Sequence, residues 1–192
     1  MDIYDAIHHR RSHRHYKADL PPREVLERII EAAMWAPSSV NLQPWDLTVM
    51  AGKVRDDFVA LVSRAVEFLR PRLQQSDLAA PVQEQVMKFF QNLGGAPVVV
   101  AVTIFDTGAA DANNSIVQSG AALMQNLLLA AHAEGLGTCW MTGGNYLEDE
   151  ILKFLGKTDR ELLAITPIGY PVKEPPPPPR KDREVRWLGF DE

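Results

Sequence analysis

Hydrophobic positions along the chain switch repeatedly between a helical and an extended period. Behind Asp2, a favourable N-cap, Ile3, Ala6 and Ile7 recur at helical spacing and predict a short helix from about Asp2 towards Arg10. After Pro21 and Pro22, the residues Val25, Leu26, Ile29, Ile30 and Ala33 form one stripe opposite Glu27, Arg28 and Glu31. That helix ends at Ala36, because Pro37 bars continuation. DLTVM at 46–50 predicts a strand, and Phe58, Leu61, Val62, Ala65 and Leu69 predict a helix over 54–69 that Pro71 stops. Residues 72–93 read as helical pieces broken at Pro81. Met87, Phe89, Phe90 and Leu93 supply their apolar surface, and the segment has the character of a lid.

The run VVVAVTIF, introduced by Gly94, Gly95 and Pro97, has no polar alternation and predicts a strand buried on both faces, at the centre of a sheet. A polar loop from Asp106 to Asn114 leads into about 20 residues that are small or apolar on nearly every face. Such a helix requires burial all round, and in so small a subunit this suggests a neighbouring chain as well as a sheet. Gly135 is a C-cap, and LGTCWMTGG runs from a short apolar segment into a glycine turn. Asn145 and Glu148 have the spacing of a capping box for a helix ending near Gly156, and ELLAITPIGYP predicts a further strand. Five prolines, 175–179, then favour a stiff polyproline II arm of roughly 15 Å that projects Arg180, Lys181 and Arg183 from the body. The chain reads as one domain over 1–192, with 72–93 a variable lid segment and 174–192 a C-terminal arm.

Charge and cysteine content narrow the function. Twenty Lys and Arg against 25 Asp and Glu give a net charge of −5, which disfavours a general polyanion-binding surface and hence nucleic acid. No stretch approaches the ~20 apolar residues of a membrane span, and the N-terminus lacks a signal-peptide pattern, so a cytoplasmic protein is expected. A single cysteine, Cys139, excludes an intrachain disulfide framework, CxxC chemistry and a multi-thiolate zinc site.

Within this acidic chain, HHRRSHRHYK at 8–17 is a local cationic cluster with no acid between Asp5 and Asp19. Arg10, Ser12 and Arg14 place two guanidinium forks and a hydroxyl within five residues, which suits a phosphate dianion plus a second electron-rich group; a solvated basic turn is the alternative. Ser38, Ser39, Asn41 and Gln43 sit between Pro37 and Pro44, able to bond the edge of a heterocycle or simply to cap a helix exit. Cys139 reads as a core residue rather than a nucleophile, and the histidines read as surface positions, with no metal set. The chain has no phosphate-loop, GxSxG or HExxH motif, and the GxG of GLGTCW follows a helix, the reverse of a dinucleotide fingerprint.

Taken in order, RRSHRHY, APSSVNLQPW, GLGTCWMTG and a basic C-terminal arm resemble the FMN-dependent nitroreductase family over essentially the whole chain. The resemblance implies an α+β fold, an α/β/α sandwich with a central mixed sheet, forming an intertwined homodimer with FMN sites at the subunit interface. It implies that Arg10 and Ser12 grip the FMN phosphate with Arg11 beside them, and that Arg14 lies near the pyrimidine edge. Pro37, Ser38, Ser39, Asn41 and Gln43 would come from the partner subunit. Trp140 and Met141 would line the ring, the backbone at Thr142 and Gly143 would approach flavin N5, and Arg180 or Lys181 would return to the phosphate. No residue is singled out as catalytic, since the flavin carries the chemistry, but Arg14 would stabilise its reduced form.

The implied activity is ping-pong hydride transfer from NADH or NADPH, the co-substrate, to nitroaromatic, quinone or related small-molecule acceptors, with Phe89 and Phe90 as a substrate lid. Dehalogenation or flavin fragmentation on the same frame is an alternative, and a non-enzymatic binding protein using the basic cluster is a third reading.

Overall fold

The computed structural model describes residues 1–105 and 110–190, the side chains of 110–113 excepted. The polar loop expected at 106–114 therefore lies partly outside the described residues. The helices are α1 (Ile3–His9), α2 (Arg23–Met34), α3 (Gly52–Ser63), α4 (Val66–Gln74), α5 (Ala80–Asn92), α6 (Ala110–Ala133) and α7 (Glu148–Leu155). The strands β1 (Trp45–Ala51), β2 (Val98–Phe105), β3 (Gly137–Thr138) and β4 (Arg160–Gly169) form one sheet in the order β1-β2-β4-β3. All three strand ladders are antiparallel, and parallel pairing enters through the isolated bridge between Ser12 and Thr138.

The VVVAVTIF run works as the central strand because its two faces feed two cores. Val99 and Ala101 join Phe58, Val62, Phe89, Phe90, Leu93, Ile151 and Ile165 on one side of the sheet. Val98, Val100 and Val102 join Ile29, Ala33, Leu123, Met124, Leu127 and Ile168 on the other. Alternate residues of a strand point to opposite faces, so unbroken apolarity is what a strand between two helical layers demands. Each such side chain, fully buried, contributes about 1.5–3 kcal/mol. Helices α2 and α6 cover one face and α3, α5 and α7 the other, giving the expected sandwich.

Three local expectations are corrected. Pro71 does not stop a helix: the break falls at Arg64 and Ala65, whose N–H groups reach carbonyls three residues back, and α4 carries Pro71 inside it on an exposed side. Pro81 does not break a helix either but stands in the first turn of α5, where no intrahelical donor is lost. The capping box at 145–148 is not formed. Asn145 Nδ2 instead donates to the carbonyl of Leu162 (2.7 Å), and Glu148 Oε1 accepts from the Leu162 N–H (2.6 Å). Both polar groups of Leu162 are thereby satisfied where a bulge shifts the β2–β4 register from Val102/Ala164 to Thr103/Leu162. Helix α6 keeps an open side within one chain: Leu123, Met124 and Leu127 are buried, while Val117, Gln125 and Ala133 are exposed. Among the described residues, no helix is long and apolar enough to cross a membrane.

Candidate functional site

The basic cluster is not a free turn. After Arg10 closes α1, the segment is stitched along the end of the sheet by backbone hydrogen bonds: His13 N–H to Thr138 O (2.8 Å), Tyr16 N–H to Gly94 O (3.0 Å) and Lys17 N–H to Tyr170 O (2.9 Å). The buried Tyr16 hydroxyl donates to the carbonyl of His13 (2.6 Å), and burial pushes its pKa well above 10. His13 is 2% exposed, against the surface position expected of it, because β3 has a glycine where its ring lies. A Cβ on Gly137 would come within 2.7–2.9 Å of the imidazole.

Two cavities open on either side of this segment. One, of about 460 Å³, is lined by Ser12, Arg14, His15, Lys88, Asn92 and Lys173, among others. The second, of about 260 Å³, lies between Leu69, Phe89 and Phe90 on one wall and Cys139, Trp140, Met141, Thr142 and Gly143 on the other, with Tyr146 at its edge. Arg14 and Phe89 line both. No carboxylate lines either cavity among the described residues, so Arg14 faces a space without a counter-charge.

Arg10 is partly buried, and that burial, with Arg11 and Arg180 nearby, pulls its pKa below the ordinary arginine value. Of the two arm cations at 180 and 181, the charge of Arg180 contributes to that lowering. Arg11 spends one guanidinium nitrogen on the carbonyls of His8 (2.7 Å) and Arg10 (2.8 Å). Among the described residues, none of Arg10, Arg11, Arg14 and Arg180 is ion-paired with a carboxylate. Clustered guanidinium groups with no acid between them are stabilised by an external anion.

Phe89 and Phe90 are buried, with ring centroids 6.2 Å apart in an edge-to-face arrangement, and Phe90 packs against Gly143. They wall the second cavity and are continuous with the core behind it. Cys139 is buried and burial raises its pKa, so it stays a thiol, as its core reading anticipated.

The loop at 37–43 lines neither cavity in its own chain. Pro37, Ser39, Asn41 and Gln43 are exposed, and Ser38 half so; its Oγ accepts from the Gln43 N–H (3.0 Å). Val40, Asn41 and Gln43 all have positive φ (46°, 57° and 48°), and Val40 is β-branched and 93% exposed. Such backbone strain in an exposed loop is characteristic of segments shaped for binding.

Sequence reasoning missed His13, Lys88, Asn92, Lys173 and Glu174. His13 stands inside the RRSHRHY run, where nothing local distinguishes it from a surface histidine, and no motif marks the other four; they meet because α5 and the arm converge on the cationic segment.

The architecture is an α+β sandwich with a cluster of arginines along the end of its sheet, beside a cavity walled in part by aromatic side chains. The chain belongs to the nitroreductase family, whose profile matches residues 7–170. It is 30% identical over 179 residues to a "Putative NADH dehydrogenase/NAD(P)H nitroreductase" of Methanothermobacter thermautotrophicus, covering 91% of this chain and 80% of that one. Its fold matches the FMN-dependent nitroreductase NfnB from Mycobacterium smegmatis, solved in complex with NADPH (TM-score 0.73, 22% identity, 94% and 97% of the two chains). It matches equally an iodotyrosine deiodinase bound to FMN and 3-iodo-L-tyrosine (TM-score 0.76, 24% identity, 98% and 100%).

Proposed function

We propose that the protein is an FMN-dependent NAD(P)H oxidoreductase that reduces nitroaromatic, quinone or related acceptors by ping-pong turnover. The observation that carries this reading is the juxtaposition at Arg14: an unpaired guanidinium shared by two acid-free cavities, with further unpaired arginines at 10, 11 and 180. These residues fit the cofactor. A phosphate dianion relieves the mutual repulsion of Arg10, Arg11 and Arg180, and the space between Phe89/Phe90 and Trp140–Gly143 suits an aromatic ring system.

FMN, held there, would supply two-electron chemistry between NAD(P)H and the acceptor. Arg10, Arg11, Ser12 and Arg180 hold the phosphate. Arg14 stands at the pyrimidine edge, where a fixed cation favours the charge that accumulates on reduction. Trp140 and Met141 line the ring, and the backbone of Thr142 and Gly143 supplies donors beside it. Cys139, buried and with its pKa raised by that burial, serves as a wall residue. Pro37, Ser38, Ser39, Asn41 and Gln43 reach the site of a second copy of the chain. Their exposure, with that of Trp35, Val40, Val117 and the α1 residues Ile3, Tyr4 and Ile7, supports a homodimer.

The test is spectroscopic. Protein supplemented with FMN and desalted retains flavin absorbance that bleaches anaerobically with NADPH or NADH. Retained flavin that neither donor bleaches overturns the reductase reading in favour of another flavin reaction. No retained flavin removes the cofactor assignment.

A further inference from the structure

The root of the proline arm is fixed by one buried contact. His13 Nε2 lies 3.1 Å from Glu174 Oε2, and since a carboxylate only accepts, Nε2 carries the proton. The histidine is 2% exposed while Glu174 remains 67% exposed, so the bond reaches from the interior of the cationic segment to the first residues of the arm. Nδ1 of His13 finds no partner, and neither does the buried Nε2 of His132 on α6. A buried imidazole on glycine, aimed at an exposed carboxylate 161 residues away, serves little purpose in core packing. The residues flanking Glu174 explain it: Lys173, Pro175 and Pro176 line the same cavity as Ser12, His13 and Arg14, and Arg180, whose charge acts on Arg10, follows at the end of the proline run.

We propose that His13 and Glu174 are positioning residues. Their hydrogen bond clamps the arm across the first cavity, and the polyproline rod then delivers Arg180 to the phosphate site at Arg10 and Arg11. Their part is to place Arg180, through which they act. Because a polyproline II segment resists bending, fixing its root also fixes its far end, which a flexible linker would not do. The inference rests on the proposed FMN site.

The test compares FMN with riboflavin, which has the same ring and no phosphate. Dissociation constants are measured by flavin fluorescence for the full-length wild type, Glu174→Ala, Glu174→Gln, Arg180→Ala and the double variant. Glu174 is exposed, so its replacement leaves the fold intact. Glu174→Ala is expected to weaken FMN about 5- to 10-fold and leave riboflavin unchanged. Glu174→Gln, which keeps an acceptor, restores most of the affinity, and Glu174→Ala adds no further loss to Arg180→Ala. Equal weakening of both flavins, additive losses, or unchanged FMN affinity in Glu174→Ala overturns the clamp. A wild type that binds riboflavin as tightly as FMN overturns the phosphate site itself, and the clamp with it.

Discussion

Gly94 approaches the carbonyl of Arg14 so closely that a Cβ at residue 94 would overlap it. The turn between α5 and β2 is thus the mould for the backbone of the arginine shared by both cavities. Gly94 also has φ +68°, a region open to glycine and costly for other residues. Gly94→Ala should therefore destabilise the protein by about 2–4 kcal/mol and displace Arg14. Denaturant unfolding reads the first effect, and weakened binding of both FMN and riboflavin reads the second.

If Arg14 stands at the pyrimidine edge, its charge favours the reduced flavin over the oxidised one. Arg14→Ala should lower the two-electron potential by about 20–40 mV, the equivalent of ~1–2 kcal/mol. Equilibration with reference dyes measures this on protein that retains FMN. An unchanged potential removes Arg14 from the role.

Phe89 and Phe90 belong to the core and to the cavity wall at once, so truncation has two consequences. Either Ala substitution should cost about 3–5 kcal/mol of stability and shift relative kcat/KM across a panel of nitroaromatics and quinones. Unchanged ratios in a variant that still folds would place acceptor choice elsewhere.

Trp35 is 82% exposed at the end of α2, beside the strained loop carrying Val40. In the proposed dimer this surface is covered. Trp35→Asp should convert a dimer into a monomer by light scattering and weaken FMN, since the loop at 37–43 would no longer reach a second site. A wild type that is a stable, FMN-loaded monomer contradicts the assembly.

Burial holds Cys139 protonated in the fold, whereas the unfolded thiol ionises near pH ~8.5. Above that pH the native state binds more protons than the unfolded one, so stability falls as pH rises; Tyr16 adds to the loss above pH ~10. Cys139→Ala should lessen the decline between about pH 8.5 and 10. Iodoacetamide at pH 8 should alkylate the thiol at least ~100-fold more slowly in native than in unfolded protein.

Sequence alone determined the elements with one unbroken signal. The two cores on VVVAVTIF, the α2 stripe and the αL cap at Gly156 follow from local periodicity and backbone preference, which act over a few residues. The arginine cluster was also legible as a run of like charge, because Arg10, Arg11 and Arg14 are neighbours in the chain with no acid between them. Tertiary structure alone decided the rest. Asn145 and Glu148 show a local cap in sequence, yet the β4 bulge leaves Leu162 with two groups to satisfy and takes both side chains. His13 looks like one more surface histidine until Gly137 gives its ring a seat and Glu174 returns from the far end of the chain. Proline likewise does not end every helix it enters: α4 continues through Pro71, which lies on its exposed side. In each case the deciding partner is more than ten residues away or is the solvent, and neither is written into the local pattern.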